Sequence, residues 1–131
     1  MTSLTSLIER IEAATEGSRE LDGDIWLAST PGATRDKWSY IHKATGRECT
    51  VDETRDETGR LIIVPEYSTS IDAALTLLPD NSIADVATTG VAWVDVTGDP
   101  CLHTAKCATA PLALLAAILR ARQAMQMEAS S

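Results

Sequence analysis

The chain has 131 residues, 44% of them hydrophobic, which suits one compact core and leaves too little for two. Its net charge of −8, from 11 basic and 19 acidic residues, disfavours a nucleic-acid binder, and residues 61–105 hold six carboxylates with no Lys or Arg. No apolar run approaches the roughly 20 residues of a membrane span, no secretory pattern opens the chain, and Cys49, Cys101 and Cys107 cannot all pair together, so a reduced protein of the cytoplasm is expected.

Ser6 and Glu9 form a capping box that predicts a first helix, with Leu7, Ile8, Ile11 and Ala14 on its apolar face and Gly17 as its stop. Ser18 caps a second helix, where Leu21, Ile25 and Ala28 share a face and Gly23 weakens the helix. After the break at Ser29-Thr30-Pro31-Gly32, the period changes to two. Trp38, Tyr40 and His42 alternate with Lys37, Ser39 and Ile41, which predicts a strand over 37–42. Thr45-Gly46 supplies a turn and Arg47 to Val51 a returning strand, followed by a hydrophilic loop from Asp52 to Gly59. Leu61 to Val64, ended by Pro65, reads as a short edge strand.

Thr69 and Asp72 form a second capping box, opening a helix through Leu78 on the face Ile71, Ala74, Leu75 and Leu78. Three strands, over 83–88, 91–97 and 101–107, follow with connections too short for a parallel crossover, so they predict an antiparallel meander. Thr109 and Pro111 start a last helix whose Leu112, Leu114, Leu115, Ile118 and Leu119, with Ala between, leave no polar face. Such a helix is buried on more than one side or meets another copy of the chain. The expected architecture is an α+β domain over residues 1–126, an antiparallel sheet with helices packed on it as an α-β-α layered sandwich, and a frayed tail over 127–131.

Certain stretches look familiar in their order: Leu7 to Ala14 leading to Ser18-Arg19-Glu20-Leu21-Asp22, then Tyr67 to Leu75, then Ala108 to Leu114 and on through Leu119-Arg120-Ala121-Arg122. They resemble small phage and prophage proteins grouped as the phage ABA sandwich domain. The resemblance covers about a third of the chain. It implies an α-β-α layered fold and a bacteriophage or prophage origin, and brings no activity and no catalytic residues with it.

Chemistry-bearing constellations are sparse. Cys101 and His103 fall on one strand face, which two ligands of a zinc can span, yet the spacing matches no recognised zinc motif, and neither a metal nor a cofactor is expected. The acidic stretch Asp52, Glu53, Asp56 and Glu57 departs from a calcium loop. No nucleophile elbow, phosphate-binding loop or dinucleotide fingerprint is present, so the chain reads as no enzyme, with no catalytic residues. Trp38, Tyr40 and Trp93 are core if helices cover both sheet faces, and stacking surfaces if they do not. Arg35 and Lys37, with Lys43 and Arg47, are the cations nearest to them for a phosphate. Arg35, Lys37, Trp38, Tyr40 and Trp93 are therefore the candidate ligand-binding residues. The expected role is a non-enzymatic phage accessory protein that binds a host or phage protein or self-associates as a homo-oligomer. The alternative is an anti-defence sponge that sequesters a nucleotide-type signal; no membrane partner is expected.

Overall fold

Caps, glycine turns and apolar spacing set nine elements in the computed structural model, which describes residues 4–130 and their side chains through Gln126. In chain order they are α1 (Leu4–Ala13), α2 (Arg19–Ser29), β1 (Thr34–Ile41), β2 (Glu48–Arg55), α3 (Ile71–Leu75), β3 (Ser82–Ala87), β4 (Val91–Val96), β5 (Leu102–Lys106) and α4 (Ala110–Ser130). The fold is α+β, with antiparallel sheets and helices packed against them, as the sequence predicts.

The strands divide into two sheets. β1 and β2 form a hairpin, while β3, β4 and β5 form a separate meander in the order β3-β4-β5. Gly90 makes the β3–β4 turn with φ +88°, and a Cβ there would run into the Cys107 carbonyl; its own carbonyl accepts from the Cys107 N–H at 2.8 Å. Along β4 the side chains alternate, with Ala92, Val94 and Val96 buried against α4 and Val91, Trp93 and Asp95 pointing the other way.

α4 is the centre of the molecule. One side contacts all three meander strands, and the other meets α1 and α3. Every residue from Leu112 to Leu119 is therefore buried, because a helix lying between two layers has no side left for water. The layers run meander, α4, then α1 with α3, and among the described residues no helix covers the outer face of the meander. Of the two fates expected for the apolar last helix, burial between layers is the one observed.

Several boundaries differ from expectation. α1 starts at Leu4, so Ser6 lies inside the first turn rather than capping it. The cap of α3 is Ser70, whose hydroxyl accepts from the Ala73 N–H at 3.2 Å, and the helix ends at Leu75. Thr69 is instead held in a turn by the Glu66 carbonyl. β2 continues through Asp52 to Arg55, where a loop was expected, because each of these residues pairs in turn with Lys37 to Thr34 on β1. Leu61 to Val64 is not a strand: Leu61 makes one bridge to Arg55, Ile62 exchanges bonds with Thr54, and Ile63 then points into solvent at 93% exposure. α4 is helical in backbone through Ser130, where a frayed tail was expected from Met127; Ser131 and the side chains beyond Gln126 lie outside the described residues.

Candidate functional site

Arg35 ties the hairpin to α2. Its Nε and Nη2 grip the Asp52 carboxylate at 3.0 and 2.7 Å, and its Nη1 donates to Asp24 Oδ1 at 2.6 Å and to the Glu20 carbonyl at 3.1 Å. Nη2 also reaches Glu20 Oε2 at 3.3 Å. With five N–H groups and five acceptors, the guanidinium is fully engaged and only 5% exposed. The fork from Arg35 holds the Asp52 carboxyl below the usual carboxylate range, and the same bond raises Arg35 above its ordinary value.

In this arrangement all of the Arg35 donors are taken by the protein's own acceptors, which leaves none turned toward a phosphate. Lys37 is likewise paired with the Glu20 carboxylate. Gly23 explains how Arg35 fits: a Cβ at that position would stand 2.5 Å from the Arg35 Cζ, so the guanidinium lies directly on the bare helix backbone. Sequence reasoning treated Gly23 as a defect in α2 and did not connect it with Arg35. A signal was present in Glu20 and Asp24, two carboxylates one turn apart that repel unless a cation sits between them.

Trp38 and Tyr40 lie on the opposite face of β1, away from α2. Their ring centroids are 5.8 Å apart with a 40° tilt, and the side chains are 49% and 44% exposed. Val51 and Cys49 stand directly across from them on β2 and are half-buried beneath the rings. These aromatics are therefore surface and not core, because the distal half of the hairpin projects past α2 with neither face covered.

Trp93 occupies the middle of the meander's uncovered face. Asp85 and Thr104 flank it across the strands, with Val91 and Asp95 on either side along β4. Ile83 and Leu102 border the same face at 73% and 55% exposure. The ring is partly exposed. The structure thus places Trp38 with Tyr40 on one sheet and Trp93 on another, in two separate surfaces.

His103 pairs with Asp99, Nε2 to Oδ2 at 2.9 Å, rather than with Cys101, which is exposed. The backbone N–H of Cys101 and the His103 ring together hold the Asp99 carboxyl below its usual range. Among the described residues no three His, Cys, Asp or Glu side chains are grouped to hold a metal ion. Burial pushes the Cys107 thiol up, which makes it a packing residue.

A buried polar latch went unpredicted. Asp22 Oδ1 accepts from the Ser68 N–H at 2.7 Å and lies 2.6 Å from the Ser68 hydroxyl, which in turn accepts from the Ser18 N–H at 2.9 Å. Arg19 completes it with one bond to Asp22 Oδ2 at 3.0 Å and another to the Val64 carbonyl at 2.7 Å. The network fastens the start of α2 to the segment before α3, and every member has a partner.

Concavities lie elsewhere among the described residues. One of about 490 Å³ runs between Thr76 to Asn81 and the Arg122–Gln126 end of α4, one of about 310 Å³ lies beside His103 and Arg120, and one of about 290 Å³ lies between Arg19, Gly23, Asp52 and Val64. None of these contains Trp38, Tyr40 or Trp93. Among the described residues no helix is long and apolar enough to cross a membrane. No family model, curated protein or solved structure matches this chain.

Proposed function

We propose that this chain is a non-enzymatic accessory module that acts by binding a protein, whether another polypeptide or a second copy of itself. The observation that carries the reading is the Trp38–Tyr40 pair, held out on a projecting hairpin with both rings about half exposed. Large aromatic side chains are costly to leave in water, and they anchor protein interfaces through area buried at low entropic cost. The apolar circumference of α4 gives no support, since the chain's own layers consume it. A phage or prophage setting rests on the sequence resemblance alone.

A flat aromatic surface suits a protein face better than an enclosed small molecule. The nucleotide-sequestering alternative loses Arg35 and Lys37 as phosphate ligands, because both are held by carboxylates. Against a Cys101–His103 thiol pair stands the bond of His103 to Asp99 instead of to the thiol.

A photo-reactive benzophenone amino acid at position 40, introduced in bacterial cells, tests the reading. A discrete crosslinked species that disappears on Trp38→Ser is the expected result. Irradiation that yields no discrete adduct would remove the hairpin as a binding surface.

A further inference from the structure

The concavity between the segment that follows α3 and the far end of α4 offers a chemistry that the hairpin lacks. Its volume of about 490 Å³ suits a small molecule. Two charged side chains line it, Arg122 from α4 and Asp80 from the turn before β3, and neither is ion-paired with the other or with any other described residue. Arg122 is half-buried. It donates one hydrogen bond, to the Leu77 carbonyl at 3.2 Å, which fixes the guanidinium at the wall while its remaining N–H groups have no acceptor among the described residues. Asp80 is exposed and makes no hydrogen bond to a described residue.

Leu77, Leu78, Pro79 and Met125 supply the apolar part of the lining. Met125 stands 41% exposed, and its unbranched side chain adapts to what it covers. The two charges together narrow the class of ligand. A phosphate or a simple carboxylate meets Asp80 as well as Arg122, a divalent cation meets Arg122, and a neutral hydrocarbon engages neither charge. A zwitterion with an apolar substituent answers all three parts of the lining at once.

We propose that this cavity binds a free α-amino acid with an apolar side chain, its carboxylate on the Arg122 guanidinium, its ammonium on Asp80 and its side chain between Leu78 and Met125. Carboxylate and guanidinium match as a two-bond pair, and partial burial of Arg122 strengthens it. A residue inside a peptide carries neither main-chain charge, so the site selects the free amino acid. No residue of the cavity belongs to the hairpin, so the proposal goes beyond the protein-binding reading and stands or falls separately from it.

Titration of leucine, methionine and phenylalanine into isotope-labelled full-length protein, followed by two-dimensional NMR, tests it. The expected result is a saturable shift confined to the amides of residues 76–81 and 122–126. N-acetyl-leucine, which lacks the ammonium, and leucinamide, which lacks the carboxylate, should each bind at least about tenfold more weakly than leucine. Asp80→Asn should weaken leucine by a similar factor and bring it level with N-acetyl-leucine, because the variant no longer distinguishes an ammonium from an amide. Arg122→Gln should abolish the preference for leucine over leucinamide. If loss of the bond to the Leu77 carbonyl unfolds that variant, the exposed Asp80→Asn position still decides the question. No saturable shift up to about 10 mM of any of the three amino acids overturns the proposal. So do shifts centred elsewhere in the chain, or wild-type protein that binds N-acetyl-leucine as tightly as leucine.

Discussion

Gly23 and Arg35 show how one missing methyl group shapes the surface. Glycine inside a helix costs roughly 0.5–1 kcal/mol relative to alanine, so Gly23→Ala by itself should stabilise α2. Here the added Cβ would displace a guanidinium that three carboxylates hold in place. We expect Gly23→Ala to destabilise the protein by about 1 kcal/mol, and the same change in an Arg35→Ala background to stabilise it by up to about 1 kcal/mol. Urea melts of the four proteins in this cycle check the prediction. An unchanged sign in the two backgrounds would mean that the guanidinium moves freely. Spacing showed no more than the Glu20–Asp24 pair awaiting a cation, because Arg35 draws its partners from two elements, α2 and β2, that only the tertiary fold brings together. The candidate aromatics were legible as residues. Their exposure was not, since period two places Trp38 and Tyr40 on one face without saying what covers it.

Among the elements, α4 was the most legible, because Thr109, Pro111 and an unbroken apolar run each argue for the same helix. The meander was nearly as clear, with Gly90 and Gly98 marking its two turns at positive φ. Leu61 to Val64 misled, as β-branched residues favour a pleated surface only when a neighbouring strand offers one, and here β2 offers a single bridge, Arg55 to Leu61, with the bonds of Thr54 to Ile62 beside it. The middle position of α4 makes its side chains the most sensitive in the chain. Leu115 is fully buried, so Leu115→Ala should cost about 2–5 kcal/mol, depending on how far the layers close over the cavity. Leu115→Glu would bury an unpaired carboxylate between layers and should abolish folding outright. Circular dichroism and urea titration distinguish these outcomes. A folded Leu115→Glu protein with near-native stability would show that the helix has been placed wrongly.

At the scale of the whole molecule, the layered body and the hairpin are unequal partners. The body is fastened by α4 and by the Asp22–Ser68 latch, whereas the hairpin joins it chiefly through Arg35, Lys37 and the bonds between Thr54 and Ile62. Stability should therefore fall outward along the hairpin. Amide exchange followed by mass spectrometry should find residues 38–51 exchanging well before 112–119, by opening that leaves the body intact. Simultaneous exchange of both regions would contradict that division. The fold class was legible at this scale, while the order of layers was not, since an apolar helix reads the same whether its second cover is a sheet, other helices or another subunit.

The placement of α4 also bears on how the chain comes into being. Synthesis delivers α1, the hairpin and the meander first, yet each of the layers presses on a helix translated after all of them. Until α4 clears the ribosome, Val94, Ile11 and their neighbours have nothing to close against, so the nascent chain carries its apolar faces uncovered for nearly the whole of its elongation.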